Sequence, residues 1–147
     1  MFEAIKYLII SLAVVVCISA DDWKPKVINE LKSIRDECLN EVPITEDQRK
    51  RMNALDFPNE EAVRNFILCA VQKLGIYSTE HGYYADRLTK QFNSELHGDD
   101  GKEPVDNCLN NNRQGDKEND VYVYEMHLCL IEARKEHAKR HKEQSTQ

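Results

Sequence analysis

The sequence predicts an all-α domain of about six helices around an apolar interior, and three observations lead there. Apolar residues recur at steps of three and four in several separate stretches, the repeat that lines them along one side of a helix. Prolines and glycines of the domain fall mostly between those stretches, where they act as stops and turns. VYVY, Val121 to Tyr124, has strand propensity, but the helical stripe that runs on past it outweighs that local preference.

Residues 1–20 stand apart from this domain. MFEAIKY carries one lysine, LIISLAVVVCIS is an apolar core too short for a membrane span, and Ala20 precedes the acidic Asp21 and Asp22. That is the layout of a secretory signal peptide cleaved after Ala20. No second apolar stretch of that kind follows. The mature chain, residues 21–147, is therefore expected to be a single exported soluble domain with a polar tail from about residue 134, without stable membrane insertion.

The elements follow in order. Pro25 precedes Val27, Ile28, Leu31, Ile34 and Cys38, which share one helical face. Thr45 and Gln48 have capping-box spacing and open a short charged helix that reaches Leu55. Phe57-Pro58-Asn59 is a turn, with Asn59 placed to cap a third helix. The stripe of that helix is Val63, Phe66, Ile67, Ala70, Val71 and Leu74, and Gly75 is its expected stop. A fourth helix fits Tyr83 to Leu96, with Tyr84, Leu88 and Phe92 on one side. Pro104 starts a short fifth helix through Cys108, and NNNRQGD is a polar turn. The last helix begins near Lys117 or Glu118 and turns Tyr122, Met126, Cys129, Leu130 and Ala133 inward.

Charge narrows the partners. Twenty Lys+Arg against 26 Asp+Glu give −6 at pH 7, and losing Lys6 together with Glu3 leaves that unchanged. A mildly acidic chain lacks the electropositive footprint that nucleic acid or an anionic membrane requires, and favours a monomer or weak dimer. Cys17 leaves with the signal, and Cys38, Cys69, Cys108 and Cys129 remain. An even number in an exported chain implies two disulfides, and no CxxC supports a zinc ribbon or redox pair. Spacing leaves all three pairings open.

Catalytic chemistry is sought without success: there is no GxSxG, HExxH, EF-hand loop or P-loop, and no histidine-aspartate pair of the phospholipase kind. The chain reads as a non-enzyme without a cofactor. His137 and His141 are four apart, a spacing that can hold a metal. Glu132, Arg134, Lys135, Glu136, Lys139, Arg140 and Lys142 surround them, so a solvated helix end is expected and no metal site, since a dedicated one would need further converging ligands.

The order, spacing and surroundings of the four cysteines, with DFPNEEAVRNFILCAVQKLGIY in the centre, resemble the insect odorant-binding proteins of the pheromone- and general-odorant-binding type. The resemblance runs from about Trp23 to Ala133. That family usually has six cysteines, paired first with third, second with fifth and fourth with sixth. Cys38, Cys69, Cys108 and Cys129 take the first, third, fourth and sixth places, and Asn65 and Asp120 stand where the second and fifth would be. Both missing members belong to one bridge, as in the Minus-C branch.

The resemblance implies the pairs Cys38–Cys69 and Cys108–Cys129, with Asn65 and Asp120 close enough to share a hydrogen bond. It also implies an internal cavity for a small hydrophobic ligand such as an odorant, pheromone or fatty acid. By position and face, Leu31, Ile67, Val71, Leu88, Phe92, Val105, Met126 and Leu130 are its candidate lining, with Tyr122, Tyr124 or Tyr84 for a polar head group. A chemosensory receptor is a further implied partner, and sensillar lymph or haemolymph the implied fluid. Histidines near neutrality offer pH-dependent release. The C-terminal HAKRHKEQSTQ, however, is too polar to enter the cavity in place of a ligand, as apolar tails do in some relatives. The alternative is a secreted helical signalling protein acting through its surface, which calls for a packed interior and an exposed apolar patch.

Overall fold

A computed structural model describes residues 21–146. The signal-peptide reading of residues 1–20 lies outside the described residues. Six helices and one small hairpin follow in order: α1 (Ile28–Glu41), α2 (Glu46–Asn53), α3 (Glu61–Lys73), β1 (Tyr77–Ser78), β2 (Gly82–Tyr83), α4 (Ala85–Leu96), α5 (Lys102–Asn111) and α6 (Asn119–Ser145). The all-α reading holds, and both disulfides pair as the resemblance implies: Cys38 with Cys69 and Cys108 with Cys129.

Local chemistry explains the helix ends. Thr45 Oγ1 accepts the Gln48 amide hydrogen at 3.2 Å, while Gln48 Oε1 accepts that of Thr45 at 2.9 Å, the reciprocal cap expected for α2. Asn59 does not cap α3; Glu60 holds the cap position, and Asn59 Oδ1 accepts from Arg64 Nη1 instead. Gly75 ends α3 at φ +73°, a left-handed conformation that a side chain resists. A Cβ there would also press on the Trp23 indole at 3.1 Å, and that indole donates to Leu74 O. The N-terminal segment is thus tied to the end of α3. It is tied to α4 as well, through Asp21 with Arg87 and Lys26 N–H donating to Gln91 Oε1.

The helix α3 lies along α6, α1 rests on α3, and α5 joins α4 to α6. Val63 and Phe66 of α3, Phe92 of α4, Val105 of α5 and Val123 and Met126 of α6 are buried together. Burial of each such side chain is worth about 1.5–3 kcal/mol. The VYVY segment is helical, with Tyr122, Val123 and Tyr124 all buried, so core packing overrides its strand propensity. The β1–β2 hairpin was not expected. It pairs Tyr77 with Tyr83 and anchors to α6, since Tyr77 Oη donates to Asn119 Oδ1 at 2.8 Å. Tyr84, expected on a helical face, is instead the residue before α4.

The anticipated Asn65–Asp120 hydrogen bond is not the one formed. Arg64 Nε donates to Asp120 Oδ2 at 2.8 Å, so the neighbouring cation ties α3 to α6 near the place of the missing bridge. The long arginine side chain reaches an acidic partner that the short Asn65 side chain does not meet.

Gly101, buried ahead of α5, faces Phe92. A Cβ there would lie 2.6 Å from Phe92 Cδ1 and closer still to Asn93 Oδ1, which accepts the Gly101 amide hydrogen. Gly101→Ala should therefore lower the unfolding free energy by about 1–3 kcal/mol through overpacking, as measured by urea denaturation.

Candidate functional site

The interior is not filled. Between α1, α3, α4, α6 and the β1–β2 hairpin lies a half-open cavity of about 340 Å³. Helix α3 presents Phe66, Ile67, Ala70, Val71 and Leu74 to it, one face of the stripe read from the sequence. Leu31 and Ile34 of α1 form the opposite wall, and the exposed Ile28 and Lys32 mark its mouth. Leu88 and Phe92 come from α4 and Leu130 from α6.

Six of the eight expected lining residues, Leu31, Ile67, Val71, Leu88, Phe92 and Leu130, stand around this cavity. Val105 and Met126 do not: both are wholly buried in the packed core. Successive residues on a helix point about 100° apart, and on α6 it is His127, Leu130 and Arg134 that face the space. None of the three tyrosines expected to contact a head group lines it. Tyr124 Oη donates to Phe57 O at 2.8 Å, and the Tyr84 hydroxyl lies 3.3 Å from Ser78 Oγ.

Polar groups enter from elsewhere. Tyr83 Oη, His127 Nε2 and Arg134 Nε are buried without a hydrogen-bond partner, and all three residues line the cavity. Buried polar atoms are rarely left unpaired, since each costs about 1–3 kcal/mol. Tyr83 from the hairpin with His127 and Arg134 from α6 make a polar strip in a space lined mainly by apolar side chains. Burial, with the neighbouring Tyr122 and Tyr77, raises the Tyr83 phenol far above its usual range, so it stays a neutral donor. Burial, and then the Arg134 charge, pushes His127 down to about 4, so its imidazole is neutral at pH 7. Arg134 is balanced by Glu95, with Nη2 and Oε2 2.5 Å apart, and its guanidinium lies 5.6 Å from the Phe92 ring centre.

This arrangement can bind a small molecule. Among the described residues, the carboxylate that lines the cavity, Glu95, is paired with Arg134. Exposed large apolar side chains among the described residues are Val27, Ile28, Leu55 and Leu128; Ile28 belongs to the cavity mouth.

The model of the PBP/GOBP family matches residues 20–133. The chain belongs to the PBP/GOBP family. Among its relatives, general odorant-binding protein 99a of Drosophila melanogaster is 21% identical over 124 residues, 83% of this chain and 87% of that one. General odorant-binding protein 99b of the same fly is 24% identical over 106 residues, covering 69% and 71%. Odorant-binding protein 22 of Aedes aegypti is 22% identical over 94 residues, covering 64% and 66%.

Within this PBP/GOBP chain, the polar strip was missed by sequence reasoning. Tyr83 is placed by the unforeseen hairpin. Arg134 was assigned to a solvated tail, yet α6 carries it straight on from Leu130, one turn along the same face. His127 had one available signal: it sits three residues before Leu130, on the stripe that faces the cavity.

Proposed function

We propose that the protein is an exported carrier that takes a small hydrophobic ligand into the cavity between α1, α3, α4 and α6, shields it from water and releases it unchanged. The cavity itself supports this reading most: about 340 Å³ of largely apolar space in a domain whose other elements are well packed. Removing apolar ligand surface from water contributes roughly 25 cal/mol per Å², enough to hold an elongated lipophile with few hydrogen bonds. The surface-acting alternative calls for a filled interior.

The polar strip refines the cargo. Tyr83 O–H and Arg134 Nε–H are donors in need of an acceptor, and Lys32 and Arg35 add positive charge along the α1 wall. An aliphatic or aromatic molecule with an oxygenated head group, such as a fatty acid or related carbonyl compound, suits both parts. Secretion fits the reading of residues 1–20 and the two disulfides, which persist in oxidising compartments. A chemosensory receptor as a downstream partner follows from kinship with odorant-binding proteins.

Ala70 decides the test, because it faces the cavity from the last turn of α3. Ala70→Trp places a large side chain in the open space and should weaken a fluorescent fatty-acid probe by at least about tenfold, or 1.4 kcal/mol. The helical circular-dichroism signal should be retained. If the probe bound Ala70→Trp as tightly as the unsubstituted protein, or bound neither, the carrier reading would fail.

A further inference from the structure

A second cluster lies on the part of α6 that continues past the family match, which ends at residue 133. His137 was expected in solvent. It is buried, and its Nε2 lies 3.0 Å from Asp100 Oδ1 on the α4–α5 connection. His141, one turn further, brings its own Nε2 within 2.9 Å of His137 Nε2 and 4.0 Å of Asp100 Oδ2. The sequence reading set the histidine pair aside for want of a further converging ligand. Asp100, 37 residues away in the chain, supplies one.

We propose that Asp100, His137 and His141 form a binding site for a divalent first-row transition metal, with Zn²⁺ the natural occupant. The ligating atoms of all three, two imidazole nitrogens and a carboxylate oxygen, lie within 4.8 Å of one another. A tetrahedral ion with bonds of about 2.0–2.1 Å has ligand–ligand edges of roughly 3.3 Å. His137 Nε2 lies 2.9 Å from His141 Nε2 and 3.0 Å from Asp100 Oδ1, near that edge, and His141 Nε2 lies 4.0 Å from the other carboxylate oxygen, so rotation of the exposed Asp100 and His141 side chains closes the set. Two imidazoles with one carboxylate select zinc, copper or nickel, because calcium and magnesium require oxygen ligands.

The surroundings suit a bound cation. The His137 ring is held by burial, which limits the ordering that binding demands. The connection bearing Asp100 is fixed on both sides, Gly98 N–H donating to Asn93 O and Gly101 N–H to Asn93 Oδ1. Half-exposed Asp100 and His141 leave a path for the ion and room for water as a fourth ligand. The adjoining groove, about 430 Å³, exceeds the apolar cavity in volume, but charged side chains dominate it and it does not suit a lipophile. Glu103, Glu136 and Glu143 there outnumber Lys139 and Arg140. A bound ion would join the α4–α5 connection to the end of α6, two segments otherwise linked by one hydrogen-bonded contact.

The test uses the purified protein after treatment with a chelator, titrated with Zn²⁺ in a calorimeter and melted with and without the ion. One ion per chain is expected, with a melting temperature that rises with Zn²⁺ concentration. His141→Ala and Asp100→Asn alter exposed side chains and should leave the fold intact by circular dichroism. Each should weaken Zn²⁺ by at least the about 10–100-fold that loss of a supporting group costs a metal site, and remove the thermal shift. The double variant His81→Ala/His97→Ala should bind as the parent does. Absence of saturable binding, undiminished binding in His141→Ala, or loss in the His81/His97 variant would each overturn the site. None of these outcomes depends on the carrier function.

Discussion

Replacing Cys38 and Cys69 together by alanine should lower the unfolding free energy by about 3–4 kcal/mol, the chain-entropy value for a loop of this length. The bridge spans 31 residues and joins the end of α1 to the interior of α3. Its effect should exceed, by a few tenths of a kcal/mol, that of removing Cys108–Cys129, which closes the shorter loop of 21 residues. Within α1 the one buried residue is Cys38, so the helix has little core of its own to hold it in place. Yet Leu31 and Ile34 on it form a wall of the cavity. Loss of the bridge should therefore reduce affinity for the fatty-acid probe as well as stability, with α1 free to swing away. Urea denaturation and probe titration of the same variant check both. A loss of under about 1 kcal/mol with unaltered affinity would show that α1 is held by packing rather than by its disulfide.

The parts of this fold that were legible in the sequence are those in which a single physical rule dominates. The stripe of α3 is nearly continuous, and its six residues all proved buried or cavity-facing. Thr45 and Gln48 encode a cap that needs only local geometry. The cavity lining was half a matter of rule and half of register. Leu31, Leu88 and Phe92 follow from helical phase, whereas Met126 and His127 adjoin in sequence and face different surroundings. Composition favours the methionine as lining, but the roll of α6 against α3 and α5 turns it into the core. Sequence periodicity cannot set that roll. Nor can it reveal contacts across large separations, and so Asp100 beside His137 and Tyr83 over the cavity had no local signal. Strong charge around His137 was itself misleading, because the neighbours that looked like a solvated surface lie on the other faces of the same helix.

Between pH 6.5 and 4 the protein should lose stability on the order of 3 kcal/mol, and His127→Phe should abolish most of that loss. His127 is buried against the cavity, with its ring 4.4 Å from that of Phe57, edge to face. Its folded pKa is pushed down to about 4, first by burial and then by the Arg134 charge. The unfolded chain takes up this proton near pH 6.5, well before the folded one does. Stability from His127 is accordingly full above pH 6.5 and is lost as pH falls toward 4. Asp21, Asp56 and Asp100 have carboxyls held low by Arg87, Arg51 and His137 respectively, and their contribution declines only below the usual carboxylate range. The two regimes adjoin, so a single set of denaturation curves at stepped pH separates them. An uncharged ligand in the cavity keeps His127 dry and favours its neutral form, and by linkage its affinity falls only as pH drops through about 4, where the folded protein takes up this proton. An acidic ligand would gain an attraction to the imidazolium that offsets this. Parallel titrations with a fatty alcohol and the matching fatty acid should therefore diverge only as pH approaches about 4, the alcohol weakening more. Identical pH profiles for the two ligands, or a stability slope retained in His127→Phe, would place the controlling proton on another group.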